Sequence, residues 1–127
     1  MLYRKIASRP SAYKNMKRLP LIYIRFTNKS KIDTYTLYIG VSKSQSSANV
    51  YNFEIQLEKM PLTLNTDIKL VCNCDNFKYQ HQALLHKNNG LRVNKLLPKI
   101  AYKLPKKIKP LYICKHLEAA LIKILKI

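Results

Sequence analysis

The three cysteines of this 127-residue chain fall into two tight pairs, and that limits the fold more than any other feature. Cys72-Asn73-Cys74 closes an apolar, strand-like run, Ile68-Lys69-Leu70-Val71-Cys72, while Cys114-Lys115-His116 opens an amphipathic segment, Cys114 to Ile127. Residues i and i+2 of an extended strand point the same way, so Cys72 and Cys74 can face one ion. At a helix entry the backbone is only partly helical, and an i, i+2 pair can converge there too. The first-turn amides are free to donate to thiolates, and Lys115 adds charge that favours the ionised form. Three sulfurs and one imidazole make up a closed tetrahedral zinc shell. The expected ligands are Cys72, Cys74, Cys114 and His116, with Zn2+ in a structural role, clamping a strand end to a helix start.

Two plainer readings compete. Reduced cysteine is often simply a small core residue, and the histidine would then be incidental. A disulfide framework fits less well, because three cysteines leave one over. The start, Met1-Leu2-Tyr3-Arg4-Lys5, also lacks the apolar core of a secretory signal. Matching spacing in both pairs, with no cysteine outside them, favours a metal.

Cys-x-Cys, a long insert from Asp75 to Ile113, then Cys-x-His resembles the SWIM-type zinc finger. The resemblance implies that Cys72, Cys74, Cys114 and His116 bind zinc in a strand-strand-helix unit spanning residues 72–127. The motif order around Ser8-Arg9-Pro10-Ser11-Ala12-Tyr13, Cys72-Asn73-Cys74-Asp75-Asn76-Phe77-Lys78-Tyr79 and Cys114-Lys115-His116-Leu117 also looks like small tailed-bacteriophage proteins with SWIM-like clamps. That likeness implies a structural component of a virus particle, in its tail, baseplate or neck.

The formal charge of +18 is unevenly spread. Residues 1–32 carry nine Lys and Arg and no acid; residues 33–75 carry three bases and five acids; residues 76–127 carry twelve bases and one acid. Basic ends around a near-neutral middle favour a polyanion or an acidic protein surface, with steep salt dependence. The candidate contacts are Arg4, Lys5, Arg9, Lys14, Lys17 and Arg18 in a basic arm, residues 1–20. Lys103, Lys106, Lys107 and Lys109 lie in a proline-punctuated basic insert, residues 91–113. A solvated terminus and a solubilising excursion are the plainer accounts of these clusters.

The remainder, residues 21–127, is expected to be a single zinc-binding domain of α+β class. A small antiparallel sheet of three to five strands occupies residues 21–72, and an amphipathic C-terminal helix packs on it. The strands are Leu21 to Phe26, Thr34 to Val41 with Tyr35, Leu37 and Ile39 on one face, Val50 to Glu58, and Ile68 to Cys72. Thr27 to Asp33 reads as a polar turn, Ser42 to Asn49 as a hairpin loop and Lys59 to Asp67 as a loop. The third strand is the clearest, since Tyr51, Phe53, Ile55 and Leu57 alternate with polar residues. Phe77, His81, Leu84 and Leu85 recur at helical spacing after Asp75 or Asn76 as N-cap, with Gly90 as C-cap. Leu117, Ala120, Leu121, Ile124 and Leu125 form the stripe of the last helix.

Enzymatic chemistry has little support. Six scattered acids offer no carboxylate pair, two glycines exclude a glycine-rich phosphate loop, and four ligands leave zinc no open position. No apolar run reaches transmembrane length. The expected function is a non-enzymatic, zinc-stabilised basic structural component of a bacteriophage virion. Its expected partners are other proteins of that assembly, with no membrane and no small-molecule substrate. A nucleic-acid-binding SWIM-like finger, on DNA or RNA, is the first alternative, and a small ribosome-associated protein the second. The expected location is the virion, otherwise the cytoplasm.

Overall fold

The computed structural model describes residues 1–7, 22–43, 49–58, 61–92 and 113–125, apart from the Ala7 and Gln80 side chains. Four strands, β1 (Tyr23–Ile32), β2 (Tyr35–Lys43), β3 (Val50–Leu57) and β4 (Ile68–Cys72), form one antiparallel sheet in the order β1-β2-β3-β4. Helix α1 (Arg4–Ala7) precedes it, and a π-helical turn (Phe77–His81) leads into α2 (Gln82–Lys87). Helix α3 (Lys115–Leu125) follows, giving the α+β class expected.

The period-two pattern of β3 does what it promises. Phe53, Ile55 and Leu57 are fully buried on one face, opposite Cys72, Leu70 and Ile68 of β4. Each such side chain contributes roughly 1.5–3 kcal/mol by leaving water. The register with β2 brings Tyr38 beside Ile55 and Gly40 beside Phe53 on the same face. A Cβ on Gly40 would stand 2.4 Å from Phe53 Cζ and 2.8 Å from the Arg25 carbonyl oxygen, so only glycine lets the ring lie there. Phe26 closes the layer, edge-on to Phe53 with ring centroids 5.9 Å apart. Helix α3 lies against β4 and β1 over this face, burying His116, Leu117, Ala119, Ala120, Leu121 and Ile124. Leu125, counted in the expected stripe, is about half exposed.

Several local expectations are corrected. The Thr27 to Asp33 turn is mostly strand: β1 runs to Ile32 past a bulge between Phe26 and Asn28, and the chain reverses at Asp33-Thr34. Asp33 takes a positive φ of 46°, which its short polar side chain tolerates. As an edge strand wet on most sides, β1 needs no alternation over Thr27-Asn28-Lys29-Ser30-Lys31. In β2, Tyr35, Leu37 and Ile39 do share a face, but Tyr38 on the opposite face joins the core cluster, because register pairs it with Ile55.

Helix α2 ends with Asn89, not Gly90, in the left-handed region, at φ 61°. Gly90 N–H donates to Leu85 O (2.7 Å) and Asn89 N–H to His86 O (3.1 Å), the two bonds of a Schellman end. Gly90 is small for a different reason: a Cβ there would meet the Met1 side chain at 2.7 Å.

Residues 1–7, the head of the expected basic arm, are docked. Met1 is buried, Ile68 N–H donates to Met1 O (2.7 Å) and Tyr3 N–H to Thr66 O (2.8 Å). Further along β4, Leu70 N–H donates to Gly90 O (2.8 Å) and Arg92 N–H to Leu70 O (2.9 Å). The outer edge of β4 is thereby covered from both ends, which protects the strand that carries Cys72.

Candidate metal centre

The site is built where β4 leaves the sheet. Cys72 stands opposite Phe53, so its side chain faces the core. The next residue fastens the knuckle: Asn73 N–H donates to Asn52 O (3.1 Å), and Asn52 N–H donates to Asn73 Oδ1 (2.8 Å). That pair ties the bend to β3 and turns Cys74 back toward Cys72. Phe77 N–H then donates to Cys74 Sγ (3.4 Å) and Lys78 N–H to Cys74 O (3.1 Å). The cysteine thus serves the incoming helical turn as a cap. Asn76, an expected N-cap, makes no capping bond through its side chain.

The first turn is wound as a π-helix, with Gln82 N–H bonded to Phe77 O. The wider turn keeps Phe77, His81 and Leu85 all buried. At the other side of the site, Cys114 precedes α3, and its carbonyl accepts the Glu118 N–H (3.0 Å), the first bond of the helix. His116 is then the second residue of α3, buried, with its ring 4.8 Å from the Tyr51 ring on β3.

These elements bring the four expected ligands together. Cys72, Cys74, Cys114 and His116 are all buried, and their ligand atoms all lie within 4.8 Å of one another. Donors around a tetrahedral zinc with bonds of ~2.3 Å stand roughly 3.8 Å apart, so the cluster is close to that size. The cysteines are free of disulfides. Both ring nitrogens of His116 are buried, and the Cys74 thiol is the one polar group among the described residues that they meet. A buried imidazole whose polar neighbours are thiols is poorly satisfied, and a metal ion among them would satisfy it. The cluster is therefore a site that can hold a metal ion.

The electrostatics agree with that. Burial pushes the Cys114 thiol well above its ordinary value, and contact with Cys72 and Cys74 pushes it further. Hydrogen bonds from Cys114 and Cys72 pull Cys74 well below its ordinary value, against the effect of burial. The bond with Cys114 lowers Cys72, but the bond to Cys74, burial and Cys74's charge together outweigh it and raise Cys72. Three touching sulfurs cannot all ionise by themselves; a divalent cation among them lets all three do so.

His81 and His86 stand apart from this group: His81 is buried in the π-helical turn and His86 is exposed on α2. Arg4 and Lys5 are exposed on α1, Arg4 bonded to Asn65 Oδ1 and Lys5 Nζ donating to Asn88 Oδ1 at 3.3 Å. Arg9, Lys14, Lys17, Arg18, Lys103, Lys106, Lys107 and Lys109 lie outside the described residues. Sequence reasoning missed Asn73 and Tyr51 as supports of the ligands. Tyr51 belongs to the inward set of β3, and the register of β3 on β4 was the signal needed to place it beside the clamp.

The chain matches no protein-family model, no curated protein and no solved structure. The metal centre consequently stands on its own four residues and their geometry. No helix among the described residues is long and apolar enough to cross a membrane.

Proposed function

We propose that this chain is a non-enzymatic, zinc-stapled basic protein that docks on acidic surfaces of a large assembly. The observation that carries the proposal is the buried Cys3His cluster, with ligand atoms within 4.8 Å of one another and His116 otherwise unpartnered. Zinc is the metal that three thiolates and an imidazole hold tetrahedrally without redox chemistry. Four protein donors close the shell, so its work is structural. Cys72, Cys74, Cys114 and His116 hold the end of β4 to the start of α3, and Asn73 and Tyr51 orient them.

The charge of +18 supplies the docking force. Its carriers are the arm residues Arg4 to Arg18 and the insert lysines Lys103 to Lys109. The likeness of motif order to small tailed-bacteriophage proteins makes a virus particle the assembly to test first. DNA or RNA is the second reading, favoured by the same charge.

Two measurements test this. Metal analysis of the purified full chain is expected to give one zinc per chain, lost in Cys114→Ser. A chain that purifies without metal and melts identically with and without chelator would overturn the staple. Co-sedimentation with particles that survives nuclease supports the assembly role. Binding to random duplex DNA whose affinity falls with salt by several ions supports the second reading instead.

A further inference from the structure

The sheet has two edges, and among the described residues backbone pairs along only one of them. Residues 1–3 and 90–92 pair along β4, whereas among the described residues nothing pairs with the outer edge of β1. β1 is also the longest strand, ten residues, and exposed over most of them.

The hairpin tells which backbone groups point outward. A two-residue turn at Asp33-Thr34 makes Ile32 and Tyr35 a hydrogen-bonded pair, and bonded and non-bonded pairs alternate from there. Lys31 and Lys29, opposite Thr36 and Tyr38, are then non-bonded pairs with N–H and C=O turned away from β2. Beyond the bulge, Ile24 is turned outward by the same count. Its carbonyl is indeed taken from outside the sheet, by Lys123 Nζ at 2.8 Å. The open stretch is therefore Asn28 to Ile32, with two outward donor–acceptor sets.

The same stretch is basic. Between Tyr23 and Ile32 the strand carries Arg25, Lys29 and Lys31 and no acid. A second copy of the chain is a poor occupant, since pairing two β1 edges sets lysines against lysines. A nucleic acid offers phosphates to the lysines but no row of N–H groups to the carbonyls of Lys29 and Lys31. An acidic peptide in extended form satisfies both.

We propose that the β1 edge at Asn28–Ile32 is a docking site for an acidic extended segment of a partner protein, added as a fifth strand. The backbone ladder gives the affinity, and carboxylates opposite Lys29 and Lys31 give the selectivity. This site is separate from the metal centre and from the arm and insert lysines, so its failure leaves the proposed function intact.

The test uses a short fluorescent peptide alternating glutamate and valine, and the same peptide N-methylated along one edge. The unmodified probe is expected to bind the full chain, with affinity falling as salt rises. N-methylation is expected to weaken it by about tenfold or more, as a lost ladder requires. Lys29→Glu/Lys31→Glu, two exposed positions, should weaken it similarly while one metal per chain is retained. Equal binding of the N-methylated probe would show attraction by charge alone and overturn the proposal. So would a dimer in sedimentation that the Lys29→Glu/Lys31→Glu chain no longer forms, since a second copy would then own the edge.

Discussion

A candidate metal ligand on a strand end has to be aimed by something, and Asn73 sits where it can aim two of them, Cys72 and Cys74. Its side chain and amide both bond the backbone of Asn52, so the bend between Cys72 and Cys74 is fixed to β3. Asn73→Ala leaves the sulfurs in place but frees the bend. The expected cost is about 1 kcal/mol in thermal or denaturant unfolding, with metal affinity reduced roughly tenfold in a chelator competition. Affinity unchanged within error would show that the bend holds without it. Cys114 is a different case, because it is both a candidate ligand and the residue whose carbonyl starts α3. Cys114→Ser keeps the backbone bond and removes the thiolate. The expected outcome is loss of the bound metal and of the chelator-sensitive part of the melting curve, read by metal analysis and calorimetry. Binding free energy at such sites is folding free energy, so the two readouts should fall together.

At the scale of elements, the two glycines separate packing from flexibility. Gly40 faces Phe53, which is fully buried, and the Arg25 carbonyl, which is backbone; neither can give way. Gly90 faces only the flexible side chain of Met1. Gly40→Ala is therefore expected to cost about 1–3 kcal/mol, and Gly90→Ala clearly less, both from denaturant midpoints at unchanged slope. Equal costs would mean that the Phe53 ring can tilt. The same contrast shows what the sequence could disclose. The alternation of β3, the stripe of α3 and the gathering of Cys72, Cys74, Cys114 and His116 were legible, since the first two are patterns imposed by burial and the third is a set of residue types that can share an ion. The length of β1 was not, because a wet edge strand has no burial pattern to display. Nor was the left-handed residue after α2. Gly90 looked like the helix end, but Asn89 takes that conformation, while Gly90 is set by Met1, far away in sequence.

For the whole molecule, the question is what a metal at this cluster would hold together. The meander β1 to β4 is made of neighbouring strands with short links, so its contacts close early and cheaply. Helix α3 joins the end of β4 across the chain between Cys74 and Cys114; it packs against β4 and β1, and its buried residues share one core cluster with Phe53, Ile55 and Leu70. Without that helix the apolar face of the sheet would lie open to water. Apparent binding energies of structural zinc, roughly 10–16 kcal/mol, rival the whole stability of a domain, about 5–15 kcal/mol. Stripping the metal with a chelator is thus expected to act from the C-terminal side. Amides of α3 from Glu118 onward should lose hydrogen-exchange protection first, those of β2 and β3 only afterwards, and the melting temperature should fall by more than about 10 °C. Mass-resolved hydrogen exchange with and without chelator reads the order directly. Simultaneous loss across β3 and α3 would mean that sheet and helix form one cooperative unit. Protection of α3 that outlasts chelation would mean that Leu117, Ala120, Leu121 and Ile124 hold the helix by packing alone, and that the ion is not what joins the two halves.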